Sequence, residues 1–279
     1  MRRRALPLAS RIGLAMTITV AVVALCAPLL APHPYDDQDL GRALLPPFWM
    51  RGTDPTYPLG TDYLGRDLLA RVIYGARTSL LVGATAVIVA GFLGLPLGLV
   101  AGFAGGRTDA VIMRLVDMQL AFPPIVLAIG ILTATGPSLG GVVLVLGVIG
   151  WVQYARVIRG QALAVREREF VLAARMLGAR SARVLWRHIV PNALGPILAI
   201  AALNMSTMIL AEASLSFLGM GVRPPTPAWG SMLSEGRDVF RVAWWNAFFP
   251  GVAIVWTVFG INLLSDAWSG GSRGGRPPA

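Results

Sequence analysis

The chain has 279 residues, of which 55% are hydrophobic and only 14% are charged. A mean hydropathy of +0.66 is far from that of a soluble globular domain and predicts an integral membrane protein. All 24 basic residues are arginine, and a chain without lysine has neither a Walker A phosphate loop nor a Schiff-base site. With Cys26 as its single cysteine, it forms no internal disulfide or cysteine metal cluster.

Six apolar stretches are long enough to cross a bilayer, because a core of about 30 Å needs about 20 residues at about 1.5 Å each. The predicted spans are residues 12–31, 79–103, 111–135, 139–158, 193–215 and 245–264. The third contains Pro123-Pro124 and is expected to be kinked there. The expected fold is an all-α integral membrane protein with about six transmembrane helices.

The N-terminal region, residues 1–77, is expected to hold the first span and an extracytoplasmic segment. A core of five spans follows in residues 78–268, and residues 269–279 form a disordered tail rich in Gly, Ser, Arg and Pro. The arginines at the N-terminus followed by an apolar run also fit a cleavable signal sequence or a lipoprotein anchor at Cys26. The bulky Leu25 before that cysteine and the length of the run favour an uncleaved span.

Two loops on the predicted outer side differ in character. Residues 32–77 are rich in Pro, Gly and Asp, and nothing in them indicates a folded domain. Residues 216–244 mix glycines and prolines with apolar residues such as Trp229, which suggests a segment that dips partway into the membrane under the shelter of protein.

The loop between the fourth and fifth spans, residues 166–191, reads as two short helices. The first is expected at about 167–177, with Phe170, Ala173, Ala174 and Leu177 on one face and Gly178 as its terminator. Ser181 caps a second helix at 182–190, and Pro191 stops that helix. Physics alone also allows an interfacial amphipathic helix in an arginine-rich loop.

Arginine counts predict the orientation, because cytoplasmic loops carry the excess of basic residues. Most of the arginines lie in the N-terminus, in the loop after the second span, in loop 166–191 and in the C-terminal tail. Both termini are therefore expected in the cytoplasm. The arginine-rich inner loop is compatible with anionic lipid as a partner.

Few individual residues indicate chemistry. Glu212, in or near the fifth span, either contributes to the passage or makes a structural bond with backbone or a neighbouring arginine. Arg114 and Asp117 are spaced to pair with each other. His33 and His188 lie on opposite sides of the membrane, which argues against a metal site. No arrangement typical of a membrane enzyme is found, so no catalytic residue is expected.

The run from Phe170 to Gly178, with Ala173 and Ala174, followed by His188-Ile189-Val190-Pro191-Asn192, resembles the EAA loop of binding-protein-dependent ABC importer permeases. Leu172 stands in place of the motif's Glu. Ala173, Ala174, Gly178 and Pro191 keep the pattern. In that family this helix docks in a cleft of the ATPase subunit, so the resemblance implies the same for the face containing Phe170 and Leu177.

Residues 58–67 and 73–80, together with residues 212–219, 224–230 and Trp244-Trp245, resemble the C-type permease of dipeptide, oligopeptide and nickel importers. The resemblance implies a type I ABC importer permease fold in the bacterial inner membrane. It also implies a second permease as heterodimer partner, two ATPases that hold ATP-Mg, and an extracytoplasmic binding protein. This chain would bind no cofactor or nucleic acid itself. The competing prediction is an ion-coupled secondary transporter, although the mid-helix coupling residues and repeats typical of that class are not found.

Overall fold

The computed structural model describes residues 8–176 and 190–273, and within these ranges the chain is predominantly α-helical. The five long helices are α1 (Leu8–Leu25), α3 (Leu68–Ala104), α6 (Leu139–Arg166), α8 (Val190–Phe217) and α10 (Trp245–Arg273). The shorter helices are α2 (Ala27–Leu30), α4 (Gly106–Leu120), α5 (Pro124–Thr135), α7 (Glu169–Met176) and α9 (Trp229–Asp238).

The expected number of spans is confirmed. Each long helix contains a stretch that is long and apolar enough to cross a membrane. The α4–α5 pair passes the same test only when its two helices are taken together, and it is bent by 85°, which is the geometry of a broken span or a re-entrant loop. The described residues thus contain five spans, or six if the bent pair counts as one. The break falls at the predicted kink, and Pro124 opens α5 at the position where a missing N–H costs no helical hydrogen bond.

The helices do not begin and end where the predicted spans do. The first span ends at Leu25 instead of continuing to residue 31, and Pro28 lies in the separate short helix α2. α3 begins at Leu68, well before the predicted start at residue 79, because Asp67 caps it by accepting hydrogen bonds from the backbone N–H groups of Leu69 and Ala70. α3 therefore runs through the expected division at residue 77.

α6 and α10 also continue past their predicted ends at residues 158 and 264, since helix formation does not stop where the apolar stretch stops. In loop 166–191, the first short helix is α7, which starts at Glu169, close to the predicted start, and is described as far as Met176. The predicted second helix lies outside the described residues apart from Val190, which belongs to α8.

α3 and α6 pack in close contact along a stripe of glycines on α3. A Cβ atom at Gly94 would clash with the carbonyl oxygen of Trp151, and one at Gly98 would lie 2.5 Å from that of Ala155. A Cβ atom at Gly102, one turn further along α3, would lie 2.6 Å from the carbonyl oxygen of Arg159 of α6. Small residues at a spacing of four allow two backbones to approach this closely.

The other long helices pack around this pair. α1 lies against α10, where Cβ atoms at Gly13 and Gly260 would come within 2.7 Å of Leu263 and Met16 respectively. α8 packs on α3 through Ile209, whose side chain would lie 2.8 Å from a Cβ at Gly83 of α3. The bundle thus has two ends, one at the start of α3 and the other at the end of α3, where Arg166 of α6 donates to the Gly102 carbonyl.

Residues 32–67 fold onto the first of these ends, although the sequence indicated no folded structure there. Thr61 is fully buried, and its hydroxyl donates to the Arg42 carbonyl at 2.5 Å and accepts from the Leu45 N–H at 2.8 Å. The Trp245 indole N–H donates to the Thr61 carbonyl at 3.4 Å. We call this end of the bundle the cap face and the opposite end, which carries α7, the α7 face.

Loop 216–244 also belongs to the cap face and contains α9. The sheltering of this loop by protein is visible at Trp229, which is buried and donates through Nε1 to the Val72 carbonyl of α3 at 3.0 Å. Gly230 lies so close to α8 that a Cβ atom would collide with the backbone of Ala213. α9 is therefore fixed to both α3 and α8.

Candidate functional site

The docking helix predicted from the sequence corresponds to α7. Phe170, Ala173 and Ala174 lie within it, and Phe170 is 42% exposed. Leu177 and Gly178 lie outside the described residues. Pro191 is exposed and lies near the start of the described part of α8.

Val171, which the sequence analysis did not select, anchors α7 to the bundle. Its side chain is fully buried in a cluster that includes Leu99 of α3, Ile158 of α6 and Ile197 of α8. Its N–H donates to the Arg168 carbonyl at 2.9 Å, a turn hydrogen bond between the start of α7 and the short connection that follows α6.

Two arginines of α6 tie the α7 face together. Arg159 makes a two-point contact with Asp109 of α4, with N···O distances of 2.5 and 2.6 Å. Arg166 donates to the carbonyl oxygens of Gly102 and Phe103 at the end of α3, at 3.4 and 3.5 Å. α7 follows α6 after two residues and contacts α3, α6 and α8 through Val171, while Arg159 links α6 to α4.

Glu212 lies in the bundle interior and is fully buried. Its carboxylate accepts hydrogen bonds from the Ser216 hydroxyl at 2.6 Å and, across the helix interface, from the Ser79 hydroxyl of α3 at 3.0 Å. The predicted backbone or arginine partner is therefore wrong, because two serines supply the donors. This geometry links α8 to α3, and a role of Glu212 in the passage stays a prediction.

Arg114 and Asp117 do not form the predicted pair. The Asp117 carboxylate instead lies 3.7 Å from the Arg156 guanidinium of α6, with both side chains more than half exposed. An exposed pair of this kind contributes little to stability. The i,i+3 spacing predicted a contact within α4, whereas the close approach of α6 provides the alternative partner.

The cap face holds a buried ionic cluster that the sequence analysis missed. Asp62 contacts Arg66, with an N···O distance of 2.6 Å, and also contacts Arg71 of α3. Glu235 of α9 contacts Arg66 at 3.1 Å and Arg71 at 2.7 Å. Both arginines and Asp62 are almost completely buried, so the paired carboxylates offset the cost of removing the guanidinium groups from water.

His33 belongs to the same face. Its Nδ1 lies 2.7 Å from the Asp67 carboxylate, and its ring stacks on Tyr57 with centroids 4.7 Å apart. Nearby, the Thr56 hydroxyl and N–H donate to Asp54 and lower the pKa of that carboxyl below its ordinary value. Among the described residues, no cluster of three His, Cys, Asp or Glu side chains forms a metal site.

Comparisons with known proteins agree with this architecture. Residues 94–270 match the family described as binding-protein-dependent transport system inner membrane component. Residues 9–47 match the family described as the N-terminal TM domain of oligopeptide transport permease C.

The chain is 41% identical to the di/tripeptide transport system permease protein DppC of Pseudomonas aeruginosa, over 91% of this chain and 84% of that protein. It is 38% identical to the dipeptide transport system permease protein DppC of Haemophilus influenzae, over 91% of this chain and 86% of that protein. It is 36% identical to the oligopeptide transport system permease protein OppC of Bacillus subtilis, over 91% of this chain and 82% of that protein.

Two solved structures share the fold. The methionine ABC transporter MetNI, described in inward-facing conformations, has a chain that matches with a TM-score of 0.57 at 19% identity, covering 74% of this chain and 95% of that one. An amino acid ABC transporter gives a TM-score of 0.54 at 20% identity, with 74% and 94% covered.

Proposed function

Because the chain belongs to the family of binding-protein-dependent transport system inner membrane components, we propose that it is a permease subunit of an ATP-driven peptide importer. The names of its relatives, which are dipeptide, di/tripeptide and oligopeptide permeases at 36 to 41% identity, support peptides as the solute class. The passage for the solute forms between this chain and a second, related permease.

α7 is the docking point for the ATPase in this proposal. The observation that supports it is the contrast between neighbouring residues, with Val171 buried against three spanning helices and Phe170 partly exposed. At helical spacing, Ala173 and Ala174 share the face of Phe170, and small residues permit close approach of another surface. A helix fixed on one side and accessible on the other can transmit ATPase movement to the spans.

The remaining components are assigned from the family and from the composition. Two ATPase subunits hold ATP-Mg, consistent with a chain that contains no lysine for a Walker A loop. An extracytoplasmic binding protein delivers the peptide to the cap face. The chain itself neither hydrolyses ATP nor binds a cofactor.

The chain lies in the bacterial inner membrane with the α7 face and both termini in the cytoplasm. The arginines of the α7 face support this orientation, since Arg156, Arg159 and Arg166 all lie near the end of α6 that leads into α7.

Co-purification with the candidate ATPase subunits tests the docking role. Ala174→Asp places a carboxylate on the proposed docking face. The matched control is Met176→Asp, which introduces the same group two residues later. The Met176 side chain is 90% exposed and lies on nearly the opposite side of α7. An uncompensated buried charge costs about 3–5 kcal/mol, so Ala174→Asp is expected to weaken ATPase binding by roughly two to four orders of magnitude.

Wild type and Met176→Asp are expected to retain both ATPase chains in detergent, and Ala174→Asp to lose them. If Ala174→Asp retains the ATPases as well as Met176→Asp does, α7 is not the docking helix. If the wild type binds no ATPase, the importer assignment itself fails.

A further inference from the structure

A crevice of about 160 Å³ lies between the α4–α5 bend, α6 and α8. α6 and α8 each line the crevice with one face, because their lining residues recur at helical spacing. These are positions 146, 149, 150 and 153 on α6 and positions 204, 207, 208 and 211 on α8. The volume is sufficient for a few water molecules at about 30 Å³ each. The crevice is thus a narrow gap between spanning helices.

Three polar side chains of the spans line this gap without being fully paired. Gln153 is exposed and makes no hydrogen bond within the part of the chain that the structure describes. Asn204 is 2% exposed and faces the buried Tyr154 hydroxyl of α6, and its Nδ2 makes no further hydrogen bond among the described residues. Thr207 is exposed and donates to the Leu203 carbonyl at 3.3 Å, which leaves its hydroxyl oxygen able to accept.

These groups do not suit a lipid-facing surface. An amide without hydrogen bonds costs several kcal/mol in hydrocarbon, so polar residues at membrane depth face a cavity, water or another polar group. Gln153 lies near the middle of α6, about one turn before Arg156, and Thr207 lies well inside α8. Their surroundings in the working protein are therefore polar.

Gln119, at the end of α4, shapes the wall of the crevice. Its Nε2 donates to the Ile149 carbonyl at 2.9 Å, and its Oε1 accepts from the Trp151 indole N–H at 2.7 Å. Both ends of this amide are engaged with α6. Gln119 therefore fixes the α4–α5 bend beside the crevice and leaves solute contacts to the other three residues.

We propose that Gln153, Asn204 and Thr207 line the solute passage and contact the backbone of the transported peptide. The inference rests on the proposed function. An amide side chain offers both a donor and an acceptor, which complements the N–H and C=O groups of a peptide bond. The crevice lining carries no charged side chain, so it suits peptides whose side chains differ in charge. Glu212, the passage residue expected from the sequence, does not line this crevice.

Cysteine labelling tests this assignment, and Cys26 is the only cysteine to be replaced first. Gln153→Cys and Thr207→Cys are made separately in a Cys26→Ala background. Leu144→Cys is the matched control, because Leu144 is 60% exposed on α6 and, nine residues before Gln153, lies on the opposite side of the helix. Each variant is reconstituted with its partner subunits in proteoliposomes and treated with a charged methanethiosulfonate reagent.

Gln153→Cys and Thr207→Cys are expected to react faster than Leu144→Cys by on the order of tenfold or more, because the reactive thiolate needs a polar environment. A dipeptide transported by the same preparation, added with the loaded binding protein and ATP, is expected to slow both reactions. Equal rates at all three positions in a preparation that transports dipeptide would overturn the passage assignment alone.

A second result would also contradict the passage assignment. In it, Gln153→Cys is labelled in the isolated chain but is not labelled in the assembled transporter, whether or not dipeptide is present. That pattern would place these residues in the interface with the second permease. Absence of ATP-driven uptake in the Cys26→Ala background and in wild type would overturn the proposed function, and this inference with it.

Discussion

The glycine stripe of α3 leads to the sharpest stability prediction. An alanine Cβ at Gly98 would lie 2.5 Å from the Ala155 carbonyl oxygen of α6, whereas favourable C···O contacts lie at about 3.3–3.6 Å. The two helices would have to separate locally by about 1 Å. A gap of this size removes about a quarter to a half of the dispersion energy of each affected atom pair.

Gly98→Ala is therefore expected to destabilise the chain by about 1–3 kcal/mol, the usual range for overpacking. At roughly 2–4 °C per kcal/mol, the apparent melting temperature falls by roughly 2–12 °C. The intrinsic fluorescence of the eight tryptophans during heating in detergent provides the assay.

Gly91→Ala is the matched control on the same helix. A Cβ at Gly91 would lie 3.9 Å from the Tyr154 ring, which is ordinary contact, and alanine favours a helix by about 1 kcal/mol over glycine. This variant is expected to melt at or above the wild-type temperature. The packing argument is refuted if Gly98→Ala melts no lower than Gly91→Ala.

Three further substitutions test the buried polar groups. Glu212→Gln keeps an acceptor oxygen for one of Ser79 and Ser216 and offers its N–H to the hydroxyl oxygen of the other. Unchanged relative uptake across a panel of dipeptides is therefore expected, and altered selectivity would favour a passage role instead. Glu235→Gln weakens the pairing of two buried arginines and is expected to lower the free energy of unfolding by up to about 3–5 kcal/mol. The control is Asp238→Asn, which removes an exposed ion pair and is expected to cost about 0–1 kcal/mol. Thermal melting measures both. Trp229→Phe removes one hydrogen bond and is expected to cost about 1 kcal/mol in the same assay; no change would mean that this bond is not stabilising.

The sequence predicted the elements whose signal is local. Apolar runs of sufficient length locate the five long helices and the bent α4–α5 pair, and Pro123-Pro124 locates the break in that pair. The start of α3 was missed because an apolar run marks only the lipid-facing part of a helix. Asp67 before Leu68 was the available N-cap signal for the earlier start.

The cap face was not predictable in the same way, because its contacts join distant parts of the chain. Arg71 and Glu235 are separated by 164 positions, and no local pattern indicates that they meet. Nothing in the sequence of residues 32–77 indicated a folded domain, whereas the fold buries Asp62, Arg66 and Arg71 against each other. The depth of Glu212 was visible in the sequence, but its serine partner on α3 depends on how α8 packs.

The docking helix was predicted from spacing and resemblance, and the structure adds how it is attached. The sequence selected the face of Phe170 and Ala174, while the buried contact of Val171 becomes visible only when α3, α6 and α8 converge. Likewise, Gln153 is recognisable in the sequence as a polar residue within an apolar span. The crevice that it lines requires the bend between α4 and α5 as its third wall.

ATP-dependent uptake in proteoliposomes tests the central claim most directly. The chain is reconstituted with its candidate partner permease and two ATPases, and a labelled dipeptide is supplied with the binding protein on the cap-face side. Accumulation of dipeptide that requires ATP on the α7-face side and is lost in Ala174→Asp is the expected result. Accumulation by this chain alone, driven by an ion gradient and indifferent to ATP, would contradict the account and identify a secondary transporter.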